Sequence, residues 1–238
     1  MPLVVKRTIK ISAALTLGIA ALLAPASGAQ ARVVEVGATS QTPAVGCPSN
    51  CFAVGRLTGY QARNAEREGP MTVGRDGKLV AFSIVLGKPS QQDINFFENL
   101  YGGPSQARIS VLRRPHKNDR RRRGEPGRRV LTGQSEVFNL EPYFGSEPTF
   151  ALRRPLTLKR GYTIALTAVT YVPGFAAGLG GNEQWRASRD KDRCDTQRFP
   201  NDRVAHQRLG TLMSYGCLYP ESRLLYKGYY VPKPRKTN

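Results

Sequence analysis

The chain has 238 residues, and its 36 Lys and Arg against 17 Asp and Glu give a net charge of +19. That balance attracts anionic polymers and surfaces at long range: nucleic acid, cell-wall polymers, acidic lipid headgroups. Arginine outnumbers lysine 26 to 10, which a GC-rich coding bias would also produce, so the charge bears on association and solubility and not on fold.

The N-terminus reads as a targeting segment. Lys6, Arg7 and Lys10 precede an uncharged apolar run, Ile11–Ala24, and Ala29-Gln30-Ala31 places small residues around a cleavage point. Those parts in that order make a secretory signal peptide, removed after Ala31. The apolar run is short for a membrane span and contains Ser12, Thr16 and Gly18. Removal leaves 207 residues with a net charge of +16, enough for one large domain with its own core.

Residues 32–51 read as a flexible arm of small and polar residues. All four cysteines, Cys47, Cys51, Cys194 and Cys217, follow the leader, and an even count in an exported chain reads as disulfides. Three pairings are open. Cys47–Cys51 with Cys194–Cys217 is favoured, and crossed pairings to the C-terminal strands stay open. Zinc would need a second nearby cysteine beside Cys194 and Cys217, which neither has.

Phe52–Tyr60 predicts a first strand, with polar Gln61–Pro70 as a loop. In Lys78–Leu86, Val80, Phe82, Ile84 and Leu86 fall on one face and Leu79, Ala81 and Val85 on the other, which predicts a strand covered on both sides. Ser90 three residues before Asp93 is a capping pattern, and Ile94, Phe97 and Tyr101 recur at helical spacing before Gly102-Gly103. A short helix over Gln91–Leu100, capping an open end of the sheets, follows. Ala107–Leu112 alternates, with Ile109 and Val111 inward against Arg108 and Ser110 outward.

Arg113–Arg129 then carries nine basic residues, two acidic ones, two prolines and two glycines, with strand patterns resuming over Val130–Leu140 and Thr149–Leu152. It predicts a long protruding hairpin loop, kept solvated by like-charge repulsion. The clearest strand signal is Leu156–Val172. Past a turn at Lys159–Gly161, Tyr162, Ile164, Leu166 and Ala168 share one face, and Thr163, Thr167 and Tyr171 the other. Pro173-Gly174 ends it. A glycine-rich loop leads to a short strand, Gln184–Arg189, then charged Asp190–Arg208 as loop. Closing strands over Leu209–Tyr219 and Arg223–Val231 and a basic tail, 232–238, complete the chain. About nine short strands and one helix predict an all-β sandwich.

The run Leu156-x-Leu158-x-x-Gly161-Tyr162-x-Ile164-Ala165-Leu166, followed by the Pro173-Gly174 loop and Trp185, resembles the jelly-roll β-sandwiches of secreted bacterial proteins, among them carbohydrate-binding and lectin-like modules. The resemblance spans 52–231 as a strand pattern and implies a jelly-roll sandwich. It assigns no site residue, and a shared sandwich does not carry a shared function.

Two surfaces stand out as binding candidates. Tyr171, Phe175 and Trp185 with Asn182, Gln184 and Arg186 combine aromatic faces with polar groups, as a glycan site requires. Arg113, Arg114, Lys117, Arg120, Arg121, Arg122, Arg123, Arg128 and Arg129 form a polyanion candidate, because guanidinium forks pair bidentately with phosphate and carboxylate. No aromatics lie between these basic residues, which disfavours a base-stacking nucleic-acid site. No nucleophile elbow, zincin, P-loop or dinucleotide motif occurs. His116 lies in the basic loop and His206 between Arg203 and Arg208, neither in a catalytic setting. The acids Asp190, Asp192, Asp195 and Asp202 alternate with Arg189, Lys191, Arg193 and Arg198, as local ion pairs would and a calcium cage would not. The expectation is a secreted, non-catalytic binder of glycan or anionic wall polymer without a cofactor. An extracellular polysaccharide hydrolase and a purely structural surface protein are the alternatives.

Overall fold

Period-two alternation in Thr163–Val172 makes one strand, and Thr149–Leu158 makes its hairpin partner in sequence. In the computed structural model these two strands lie in different sheets, joined by a turn in which Tyr162 N–H donates to the Lys159 carbonyl and Gly161 takes φ +83°. The structure describes residues 32–65, 67–116, 127–194 and 204–234. The leader, the basic residues Lys117 and Arg120–Arg123, Asp195, Asp202 and the end of the tail lie outside the described residues.

In chain order the strands are β1 (Val34–Val36), β2 (Val54–Asn64), β3 (Arg67–Glu68) and β4 (Gly77–Ile84), then helix α1 (Gln91–Tyr101). After it come β5 (Gln106–Arg113), β6 (Arg129–Gln134), β7 (Phe138–Asn139), β8 (Thr149–Leu158) and β9 (Thr163–Val172). The remainder are β10 (Phe175–Ala177), β11 (Gln184–Ala187), β12 (Leu212–Met213), β13 (Cys217–Pro220), β14 (Ser222–Leu224) and β15 (Tyr226–Pro232). One sheet runs β1-β15-β4-β8, and the second runs β12-β6-β5-β9-β2-β11-β13. Take β1, β2, β4, β5, β6, β8, β9 and β15 as the principal strands, first to eighth. The first sheet then has the order first, eighth, third, sixth, and the second the order fifth, fourth, seventh, second, all antiparallel. That is the jelly-roll order. The fold is an all-β sandwich with one helix.

Between the sheets, Leu79, Phe82 and Ile84 of β4 meet Ile109 and Val111 of β5 and Ile164, Leu166 and Ala168 of β9 in one core. Burying each large aliphatic or aromatic side chain here contributes roughly 1.5–3 kcal/mol. Tyr226 of β15 crosses the gap and donates to the Ile164 carbonyl at 2.9 Å. Gly228 leaves room for Ile164, whose Cδ1 would lie 2.7 Å from an added Cβ.

Several elements differ from their sequence pattern. The stretch read as an arm supplies β1, because Val34–Val36 finds a free edge on β15. Gln61–Asn64, loop by its polar pattern, extends β2, where the Gln61 amide donates to Glu183 Oε2 and accepts from Leu224 N–H. In β4 the pairing shifts between Leu79 and Ala81, so Leu79 and Phe82 share the core side and Val80 does not join them. Helix α1 has the expected capping box, with Asp93 N–H donating to Ser90 Oγ at 3.2 Å and Ser90 N–H to Asp93 Oδ2 at 3.0 Å, and a left-handed Gly102 closes it. It packs on β9 through Phe97 and Tyr101 against Tyr171, where Gly55 makes room for the Tyr101 ring.

The largest departure is the connection from β9 to β15. It adds β11 and β13 beyond one edge of the second sheet and β12 beyond the other, and so covers that sheet's outer face. Thr58, Ser110 and Thr167, outward by alternation, are fully buried beneath it and joined by hydroxyl hydrogen bonds of 2.8 Å. Tyr60, Leu112, Leu131, Ala165 and Tyr215 form a second, smaller core there. The disulfides are Cys47–Cys51 and Cys194–Cys217, the latter closing part of this connection. Its loop length corresponds to about 3 kcal/mol of chain-entropy stabilisation.

Ile164→Ala is expected to lower the unfolding free energy by about 2–5 kcal/mol, because the inter-sheet core cannot collapse around the cavity. Urea denaturation should show a lower midpoint at an unchanged slope.

Candidate functional site

The aromatic candidates separate into two buried clusters. Trp185 on β11 is only 3% exposed. Its ring stacks on Tyr219 at 4.5 Å and meets the Phe175 edge at 6.0 Å, and its N–H donates to Ser222 Oγ at 3.0 Å. Gly59 on the paired strand lets the indole lie against the backbone. Tyr171 has no exposed surface and sits under α1 with Phe97 and Tyr101. Asn182 is exposed in a turn, and Gln184 donates to the Gly181 carbonyl at 3.3 Å. These residues present no shared aromatic platform. Trp185 is large enough to serve the core, and a residue of that type inside a strand is usually buried.

Arg186 faces the other way. It pairs across β2 with Tyr60, and its Nη1 donates to the Tyr215 carbonyl at 3.1 Å. The described foot of the basic loop arrives at the same place. Arg129 sets its guanidinium over the Tyr60 ring at 5.2 Å, while its carbonyl accepts from Gln207 Nε2 at 2.9 Å. Such a contact is worth about 0.5–2 kcal/mol. Gln207 is itself held by the Tyr215 hydroxyl, which donates to its Oε1 at 2.8 Å. Gly127, at φ +98°, passes so close to the Tyr215 carbonyl that a Cβ would lie 2.7 Å from it. The loop foot is thereby fixed to β12–β13.

The electrostatics of Tyr60 locate the charges. Burial pushes its phenol up, while Arg129, Arg186 and Arg114 pull against that rise. Arg114 is exposed, and Arg129 and Arg186 are half-buried. None of the three makes an ion pair with a described residue, and Arg129 Nε is buried without a hydrogen-bond partner. Arg113 and Arg128 flank them, bonded locally through Arg113 Nη1 to the Arg114 carbonyl and the Arg128 carbonyl to Arg129 Nη1. Residues assigned by sequence to two separate sites, Arg186 and Arg114 with Arg129, thus share one face. Tyr60, Gln207 and Tyr215, which organise it, carry no sequence signal, since the β2–β11 pairing that aligns them is non-local.

A second feature bears on acid–base chemistry. Glu98 on α1 has its carboxyl pushed up, first by desolvation and then by the neighbouring Glu141, with which it shares a hydrogen bond. Burial, reinforced by Glu141 and Glu98, likewise drives the Tyr171 phenol upward. The pair is a local repulsion at the C-terminal half of a helix, where negative charge is already disfavoured.

No family model matches the chain, and no curated protein and no solved structure matches it.

Two outcomes follow from these placements. Trp185→Ala should cost about 3–5 kcal/mol of stability by emptying a core position, measured by chemical denaturation. Glu98→Gln should raise the melting temperature at neutral pH. The raised carboxyl of Glu98 contributes stability in full below its ordinary value of 4.5 and loses it as pH rises through the shifted value. The gain of the variant over wild type should therefore vanish in acid, as melting curves across a pH series will show.

Proposed function

We propose that this protein is a non-catalytic binding protein, exported to the cell envelope or beyond it, that holds an anionic polymer such as an acidic glycan or wall polymer. The observation that carries the reading is the convergence of Arg114, Arg129 and Arg186 around Tyr60, without acidic partners among the described residues. Arg113 and Arg128 flank that face, and the chain's net charge of +19 adds long-range attraction. Arg129 is preoriented by its aromatic neighbour, so less side-chain freedom is lost when an anion docks. Two disulfides support an oxidising compartment, as does the signal-peptide pattern of residues 1–31. Among the described residues no helix is long and apolar enough to cross a membrane. Burial of Trp185 and Tyr171 removes the support for recognition by aromatic stacking, which leaves charge as the basis of binding.

Retention on heparin and on cell-wall preparations, followed over a salt series, tests this. Binding should weaken steeply with salt, and the log–log slope should fall by about one for each of Arg114, Arg129 and Arg186 replaced by Gln. Retention indifferent to both salt and these substitutions would sink the reading. Release of reducing sugar from a neutral or acidic polysaccharide would replace it with a hydrolase.

A further inference from the structure

Among the described residues, Arg56 is one of two non-glycine residues with positive φ, at +53°, and it sits at a bulge where β2 shifts against β9. A bulky residue is uncommon in that region, and such strain persists where the surroundings hold it. What holds it here is the covering connection: Ala205 N–H donates to the Arg56 carbonyl at 2.8 Å, and Leu57 bridges Ala205. The next residue, His206, places Nε2 2.6 Å from the Ala168 carbonyl. A carbonyl only accepts, so Nε2 carries the proton and Nδ1 is the nitrogen left for another partner.

Sheet register puts a second guanidinium beside it. Ala168 pairs with Leu57 on one side and with Ala107 on the other, and Arg108 pairs with Thr167. Arg56, His206 and Arg108 therefore surround one point on the sheet, and both arginine charges act on the imidazole. Neither guanidinium makes an ion pair or hydrogen bond with a described residue, and Arg108 Nε is buried with no partner. Burial alone accounts for the lowered basicity of Arg108, with no carboxylate contributing. A half-buried guanidinium without a counter-ion is costly, and here it stands beside a second cation.

We propose that Arg56, Arg108 and His206 form a binding site for a single phosphate group, either inorganic phosphate or a phosphate ester. Two guanidinium forks match the equatorial oxygens of a phosphate, and His206 Nδ1–H supplies a third charged donor once the imidazole is protonated. Three cationic groups suit a phosphate of charge about −1.5 to −2 better than a carboxylate, which one fork satisfies. Burial, with Arg108 and Arg56, lowers the basicity of the imidazole, against the Ala168 hydrogen bond. Phosphate reverses the sign of that field, so occupancy takes up a proton and affinity rises as pH falls through the His206 range. The site shares no residue with the Arg114–Arg129–Arg186 face and stands independently of it.

The test is calorimetry of the purified protein with inorganic phosphate, glycerol 3-phosphate and acetate at constant ionic strength in chloride, together with imidazole NMR of His206. Saturable binding of phosphate, with acetate weaker and the His206 pKa moved up by about one unit or more, is expected. Binding of glycerol 3-phosphate at similar affinity identifies an ester site, and binding of inorganic phosphate alone a free-ion site. Arg108→Gln should weaken binding by about tenfold or more. Arg56→Gly should weaken it comparably while raising the melting temperature, because glycine relieves the positive φ. The Arg114/Arg129/Arg186 triple Gln variant should bind phosphate as wild type does. The proposal is overturned by absence of saturable phosphate binding, by wild-type binding in both Arg108→Gln and Arg56→Gly, or by loss of binding in the triple variant alone.

Discussion

The rest of the structure depends on one constraint: the second sheet is covered on both faces. A jelly-roll sandwich buries the inner faces of its two sheets and leaves the outer faces to solvent or ligand. Here the β9–β15 connection takes hold of both edges of the second sheet and lays residues 205–215 across it. Everything on that outer face must then meet the conditions of an interior. Thr58, Thr167 and Ser110 do so through one another, because a hydroxyl both donates and accepts. Ser188 completes the arrangement by accepting from Thr58 N–H and donating to the Ala205 carbonyl. Where the face is apolar, Tyr60, Leu112, Leu131, Ala165 and Tyr215 form a core of their own.

Charge on that face has fewer places to go. Aliphatic stems of arginine tolerate burial while the guanidinium stays at the boundary, and the weakly hydrated head loses less than an ammonium would. Arg129 solves the problem with the Tyr60 ring and Arg186 with the Tyr215 carbonyl. Arg108 has neither device, and its Nε remains without a partner. The covering connection thus produces both binding candidates: it anchors the loop foot at Gly127 and Gln207, and it brings His206 to Ala168.

Local signals made part of this legible from the residues alone. The alternation after Gly161, the Ser90–Asp93 capping box and the left-handed Gly102 each depend on a few neighbouring residues, and each is where the pattern put it. Both disulfides join the cysteines favoured by proximity in sequence. What the residues did not reveal is non-local. Alternation says that Ser110 and Thr167 point away from Ile109 and Leu166, but whether water or chain lies on that side depends on a connection that begins beyond residue 172. Gln61 looked like loop because its partners, Glu183 and Leu224, are more than a hundred residues away. Trp185 read as a ligand platform because its aromatic neighbour Tyr219 arrives only through β13.

A coding bias towards arginine explains how many guanidiniums the chain carries, yet it says nothing of where they stand relative to acids. Among the described residues the ion pairs are Arg63–Glu68, Arg153–Glu136, Arg223–Glu183 and Lys227 with Glu35 and Glu147. Arg56, Arg108, Arg114, Arg129 and Arg186 are in none of them, although three strands of the second sheet and the foot of one loop gather them onto a single sheet. Where burial raises the cost of isolation the pressure to pair is greatest. Arg108 is the sharpest case, half-buried and unpaired in a row whose other members, Thr58 and Thr167, are fully hydrogen-bonded. A sheet that satisfies its hydroxyls so completely leaves these guanidiniums without an acidic partner among the described residues.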